Sequence, residues 1–284
     1  MNKTEGFISV EGGKVWYQII GDQGNIPLIV LHGGPGYPHD YLEPLEDSAT
    51  NRQVIFYDQL GCGNSDKTTD PVLWTVENFV KELCQVIETL KLEKYHILGH
   101  SWGSALAVAF ALTKLKGLTS LVLSDPYIST PIWEKEMQRL LELLPDDMRN
   151  ALLNNKKESD KYKQASKEFY HRFVWRMNSY PESCKKSFKK KNADLYNYMW
   201  GPEEFQATGT LANFDPSLQF SEIKVPVLLI CGRYDEATPE SCEYFRNRIS
   251  NAKLEILENS AHFPFWNERE KYMKIVQSFL NDQV

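Results

Sequence analysis

The chain has 284 residues, 42% of them hydrophobic, and a formal net charge of −6. That length and apolar content suffice for one large α/β domain with an inserted subdomain, and the mildly acidic balance argues against nucleic acid or an anionic membrane as main partner. The cysteines Cys62, Cys84, Cys184, Cys231 and Cys242 are scattered without a C-x-x-C pair, the first residues lack an apolar signal core, and no apolar run has the length of a membrane span, so free thiols in a cytoplasmic protein are expected.

In chain order, Phe7-Ile8-Ser9-Val10, the Gly12-Gly13 pair and residues 15–20 read as an antiparallel hairpin. Leu28-Ile29-Val30-Leu31 and Val54-Ile55-Phe56-Tyr57 are short apolar runs suited to buried strands. Val76, Phe79, Val80, Leu83, Val86, Ile87 and Leu90 fall on one face of a helix, with Thr75 as its N-cap. Ile97-Leu98, Leu121-Val122-Leu123, Val227-Leu228-Leu229-Ile230 and Leu254-Glu255-Ile256-Leu257 continue the strand series. A terminal helix carries Tyr272, Ile275, Val276, Phe279 and Leu280. Strands alternating with helices predict a mainly parallel sheet covered on both faces.

The alternation stops after Asp125-Pro126 and resumes at Val225. Residues 131–220 therefore read as a helical cap inserted between two parts of an α/β core, 1–130 and 221–284. Within that span, the basic run Lys185-Lys186 and Lys189-Lys190-Lys191 reads as a solvated helix face.

Gly99-His100-Ser101-Trp102-Gly103 carries the chemistry. It is a G-x-S-x-G between an apolar strand and a run of helix formers, the setting of a nucleophile elbow, in which a strained turn exposes a serine hydroxyl. At average glycine and serine usage a chain of this length holds about 0.1 such matches by accident. A serine hydroxyl needs a general base, and the base needs an orienting acid. In elbow enzymes these partners follow in the order serine, acid, histidine, after later strands. Asp235 follows the Val227-Leu228-Leu229-Ile230 strand as the acid candidate, and His262 follows the Leu254-Glu255-Ile256-Leu257 strand as the base candidate. His32, His39, His96, His100 and His171 are worse placed, four before or beside the serine and one within the insertion.

Acyl transfer also needs oxyanion donors. The backbone N–H of Trp102, next after the nucleophile, is one. His32-Gly33-Gly34-Pro35-Gly36, after the first buried strand, supplies the other, assigned to Gly34. Asp58-Gln59-Leu60-Gly61-Cys62-Gly63-Asn64-Ser65 is a glycine turn expected to brace the site. Neither a metal constellation nor a phosphate-binding loop is apparent, and no cofactor is expected.

These motifs, with Gly232-Arg233-Tyr234-Asp235 and with Gly201-Pro202-Glu203-Glu204-Phe205 and Thr208-Gly209-Thr210 in the insertion, resemble the proline iminopeptidase family of α/β-hydrolases. The likeness is strongest to its tricorn-interacting aminopeptidase branch and to related L-amino acid amidases. It implies an α/β-hydrolase fold and a cofactor-free serine hydrolase. Such an enzyme releases an N-terminal residue, often proline, from short peptides or amino acid amides through an acyl-enzyme. It further implies that acidic residues in and near the cap, here Glu204 and Glu236, hold the substrate's free amine. An esterase or lactonase with the same triad, and a non-catalytic ligand-binding member of the fold, are the competing readings.

Overall fold

A computed structural model describes residues 1–154, 156–202 and 205–283. Eight strands form one sheet: β1 (Lys3–Val10), β2 (Gly13–Ile20), β3 (Asn25–Leu31), β4 (Arg52–Tyr57), β5 (Tyr95–His100), β6 (Leu118–Ser124), β7 (Val227–Gly232) and β8 (Ala252–Leu257). Their spatial order is β1-β2-β4-β3-β5-β6-β7-β8. The hairpin pairs β1 with β2, and β2 with β4, antiparallel; every other pairing is parallel.

The central strands are apolar on both faces because both are covered. Alternate side chains divide between two cores. Ile29, Leu31, Ile97, Leu121 and Leu123 point into one, shared with α1 (Val76–Thr89), α2 (Trp102–Leu112) and Phe245 of α8 (Pro239–Arg246). Leu28, Val30, Leu98 and Val122 point into the other, shared with α10 (Arg269–Asn281) and the 3-10 segment His39–Thr50. The predicted amphipathic helix is α1: Thr75 accepts the Asn78 N–H at 3.2 Å as its cap, and Phe79, Leu83 and Val86 are buried. Each such buried side chain stabilises the fold by about 1.5–3 kcal/mol relative to exposure. The C-terminal apolar stripe is α10, with Tyr272, Val276 and Leu280 buried.

Between β6 and β7 the described residues form helices and no strand: α3 (Thr130–Glu142), α4 (Asp146–Asn154), α5 (Asp160–Phe173), α6 (Glu182–Lys190), α7 (Ala193–Met199) and a 3-10 turn at Ser217–Glu222. This helical layer is tied by backbone hydrogen bonds to the loops at the strand ends. The Asn192 N–H donates to the Gly36 carbonyl (2.9 Å), Glu236 N–H to Phe173 (3.0 Å) and His262 N–H to Val174 (3.2 Å). The basic run is a solvated face, with Lys185, Lys186, Lys189 and Lys191 exposed, but it also makes ion pairs. Lys186 and Lys190 reach the buried Asp40 at 2.6 and 3.5 Å, and Lys191 lines a cavity beneath the layer. Among the described residues no helix is long and apolar enough to cross a membrane.

Candidate active site

The strand-to-helix turn at Ser101 follows from its glycines. A Cβ on Gly99 would sit 2.2 Å from the Gly103 carbonyl oxygen, and a Cβ on Gly103 2.2 Å from that of Leu31. Only glycine at both positions lets β5 run directly into α2. Ser101 itself takes φ 54, ψ −120, a strained setting for a non-glycine residue that lifts its side chain off the sheet. Its N–H is anchored on the Ser124 carbonyl at 3.0 Å.

Asp235 and His262 leave the ends of β7 and β8 and meet beside this turn. His262 Nδ1 lies 2.7 Å from Asp235 Oδ1, which also accepts the Ala237 N–H at 2.9 Å. Both side chains are buried. Burial alone lowers the imidazole pKa, but the Asp235 charge, its hydrogen bond and the charge on Glu236 outweigh burial and raise it. Ser101 and His262 line one cavity of about 170 Å³ with Gly33, Gly34, Glu236 and Lys191. Its apolar wall includes Tyr127, Trp133, Met137, Trp200 and Phe263. Trp133 bridges wall and base, its ring 6.3 Å from that of His262 and 6.4 Å from that of Trp200. Glu236 Oε1 lies 3.8 Å from His262 Nε2. Glu204 lies outside the described residues.

The two oxyanion candidates differ in how they are held. Trp102 opens α2, where the first N–H groups have no partner within the helix and the helix dipole favours negative charge. On the facing loop the Gly33 N–H is already taken by the Tyr41 hydroxyl at 2.7 Å. Gly34 has φ +118, and a Cβ there would meet the Gly36 N at 2.6 Å. Gly33 is packed against the nucleophile, since a Cβ on it would lie 3.1 Å from Ser101 Cβ.

Supporting residues that the sequence reading set aside are prominent here. His100 Nε2 lies 2.9 Å from the His262 carbonyl oxygen, so Nε2 carries a proton and Nδ1 accepts from the Tyr41 hydroxyl at 2.8 Å. Burial, with the neighbouring His262, holds the His100 pKa well below its ordinary value. His32 plays a parallel part. Its Nε2 accepts the Gln59 N–H at 2.9 Å, and Gln59 Oε1 accepts the Trp102 indole N–H at 2.9 Å. Burial pushes the His32 pKa down to about 4, so it too is a neutral strut. The glycine turn after β4 is held by buried Asp58, which accepts the backbone N–H groups of His39 and Asn64, both at 2.9 Å. The sequence signal for His32, Gln59 and His100 was adjacency to the motifs. Tyr41 had none, because its 3-10 segment lacks a strand or helix period.

One set of potential metal ligands is present among the described residues: Asp125, Asp235 and His262 offer atoms within 4.8 Å of one another. The set fits a hydrogen-bonded triad better than a cation. The Nδ1 lone pair that a metal needs is replaced by an N–H pointing at Asp235.

A mainly parallel sheet, a serine on a strained turn after β5, an acid after β7 and a histidine after β8 are the parts of an α/β-hydrolase. The family model described as the alpha/beta hydrolase fold matches residues 26–269. Over 284 aligned residues the chain is 44% identical to the proline iminopeptidase of Heyndrickxia coagulans, covering 98% of this chain and 99% of that protein. It is 36% identical to the proline iminopeptidase of Clostridioides difficile strain 630, with 99% of each chain covered. The crystal structure of a proline iminopeptidase from Mycobacterium smegmatis superposes with a TM-score of 0.93 at 32% identity, over 99% of this chain and 98% of that one. This chain belongs to the α/β-hydrolase fold family, within its proline iminopeptidase group.

Proposed function

We propose that the chain is a cytoplasmic serine aminopeptidase that releases an N-terminal residue, proline foremost, from short peptides or amino acid amides. Ser101 is the nucleophile, His262 the base and Asp235 the orienting acid. His262 takes the Ser101 proton as the hydroxyl attacks the scissile carbonyl, then delivers it to the leaving amine. The N–H groups of Trp102 and Gly34 receive the developing oxyanion. Water then cleaves the acyl-enzyme by the same route in reverse.

The observation that carries this reading is the position of Glu236, 3.8 Å from the nitrogen of the base that faces the reaction. A carboxylate there sits where a substrate's α-amine falls, because that amine is two bonds from the carbonyl under attack. The amine, with a pKa of about 7.7–8.0, is largely cationic at neutral pH. A charge-assisted hydrogen bond to Glu236 fixes which bond meets Ser101, and Glu204 is assigned to the same role. The aromatic wall of Tyr127, Trp133 and Trp200 suits a compact apolar ring such as proline's. Residues 131–220 act as a cap that limits access to short substrates.

The test is a panel of aminoacyl naphthylamides with their N-acetylated forms. Rapid turnover of the prolyl compound, and at least a ~100-fold loss on acetylation, is expected from stranding a buried charge. Equal turnover of blocked substrates or simple esters would identify an esterase instead.

A further inference from the structure

Asp125 directly follows β6 beneath the proposed triad, which does not use it. It is fully buried, as is Asp235 to within 1%. On each residue one carboxyl oxygen is accounted for: Asp125 Oδ2 accepts from the Ser124 hydroxyl at 2.6 Å, and Asp235 Oδ1 holds His262 and the Ala237 N–H. On each the other oxygen, Asp125 Oδ1 and Asp235 Oδ2, has no hydrogen-bond partner. The two carboxyl groups come within 4.8 Å of each other.

We propose that Asp125 carries a proton at neutral pH and donates it to Asp235 Oδ2, so that the triad acid is a two-carboxyl unit with one negative charge and Asp125 is its positioning residue. This rests on the triad reading above. Two ionised carboxylates this close, with no water-exposed surface, are electrostatically prohibitive. One shared proton removes the repulsion and satisfies both stranded oxygens at once. Burial, followed by the charge and hydrogen bond of Asp235, pushes Asp125 well above the usual carboxyl range. The nearby positive charge, that of His262 when protonated, is paired with Asp235 rather than with Asp125. His100 Nε2 is 3.7 Å from Asp125 Oδ2 but is neutral and already donates to His262. The Cys231 and Cys242 thiols and the Tyr41 and Tyr272 hydroxyls are all raised in pKa and stay neutral. Tyr272 steadies Ser124 at 3.0 Å, so the proton on Asp125 has one free acceptor to turn toward.

The arrangement constrains Asp235 from two sides. Its Oδ1 faces the imidazole and its Oδ2 is pinned from below, which keeps the carboxylate from rotating away as His262 gains charge. The donor also withdraws charge from Asp235 and tempers the basicity it confers on His262. Backbone conformation alone accounts for part of the choice of residue: Asp125 has φ 49, a region that Asp and Asn enter more readily than others. Asparagine satisfies that preference too, which makes it the discriminating substitution.

The experiment compares the wild-type protein with Asp125→Asn and Asp125→Ala. The infrared difference spectrum between wild type and Asp125→Asn in D2O at neutral pH is expected to contain a protonated-carboxyl carbonyl band from Asp125. Other buried acids cancel in the difference. The asparagine amide also donates to Asp235, so the acid limb of kcat/KM stays within about 0.3 pH unit of wild type. Asp125→Ala removes the donor, moves that limb upward and lowers kcat/KM about 10- to 100-fold, the scale of one hydrogen bond to a charged group. Absence of the infrared band overturns the proposal. So does a fall of the limb by about one unit in Asp125→Asn, the shift expected from deleting an ionised neighbour. If Asp125→Ala does not fold, the two asparagine readouts decide alone. Failure of the triad reading is distinguishable, because it would appear as normal turnover by Ser101→Ala while the infrared band still reports the proton.

Discussion

The Tyr41 hydroxyl and His100 Nδ1, 2.8 Å apart, join the two halves of the active site. Tyr41 accepts from the Gly33 N–H on the oxyanion loop, and His100 Nε2 donates to the backbone carbonyl of His262. The direction of every hydrogen bond in this chain is fixed, because a carbonyl at one end and an N–H at the other permit one tautomer of a neutral imidazole. The oxyanion loop and the base are therefore positioned by one continuous buried connection through the residue next to the nucleophile.

Tyr41→Phe cuts that connection and leaves the Gly33 N–H without its acceptor. The expected cost is about 1–3 kcal/mol of stability for one stranded buried donor, measured by urea denaturation. A fall in kcat larger than the rise in KM is expected with it, since the loop serves the transition state more than the ground state. An unchanged kcat in a destabilised protein would show that the connection is structural only.

Ser101→Ala should lower kcat by at least ~10⁴-fold while melting near the wild-type temperature, because it removes the nucleophile and relieves no packing. His262→Ala is expected to be similarly severe. Combined with Ser101→Ala it should add almost nothing, as groups acting in one step do.

The pH dependence follows from the raised imidazole. In the proposed mechanism neutral His262 is the working base, so kcat/KM is expected to rise with pH as the imidazole loses its proton. With Asp235 and Glu236 together overcoming burial, the midpoint of that rise lies above the ordinary value of about 6.5. Asp235→Asn removes the main stabilising charge and moves the midpoint down, with a large loss of rate. An upward move in that variant would contradict the assignment.

Glu236→Gln should weaken turnover of substrates with a free amine by about 10- to 100-fold, the range for losing one charge-assisted hydrogen bond, and affect simple esters much less. Equal losses on both substrate classes would show that Glu236 acts through His262 rather than on the amine.

Glu82 offers a stability test away from the chemistry. It is buried in α1, with Oε2 accepting the Leu60 N–H at 3.1 Å, and burial raises its pKa to about 8. An acid raised in the folded state costs stability as pH climbs from its unfolded pKa to its folded one, at about 1.4 kcal/mol per pH unit. Glu82→Gln keeps the acceptor and removes the penalty. Its gain over wild type should be near zero at pH 4, grow to roughly 4–5 kcal/mol by pH 8 and then level off. A gain that is constant across this range would mean Glu82 is not titrating as stated.

Much of the fold was legible in the linear pattern. Strands β3 to β7 announced themselves as short apolar runs, because a strand covered on both faces has no polar side to show. The helix α1 was readable from its period and its Thr75 cap. The elbow was readable because Gly99 and Gly103 answer a local steric demand, with Cβ contacts of 2.2 Å. Asp235 and His262 stood out because each follows a strand, and parallel strands deliver their C-terminal ends to one edge of the sheet, where the two side chains meet. What the residues could not reveal one by one depends on distance in space. His100 and His32 read as misplaced histidines, yet in the structure they are neutral struts: His100 holds the backbone carbonyl of His262, and His32 holds the backbone N–H of Gln59, whose side chain accepts the Trp102 indole N–H. The basic run at 185–191 read as solvated and is, but the sequence did not show that Lys186 and Lys190 also pair with the buried Asp40. Asp125 read only as the point where the strand alternation stops; its proximity to Asp235 arises because β6 and β7 are neighbours that bring two carboxyl groups within 4.8 Å. The sequence by itself thus determined the sheet and the elbow turn that carries Ser101, which are local or periodic properties. The tertiary structure alone decided which polar groups are buried together, because that depends on contacts between residues far apart in the chain.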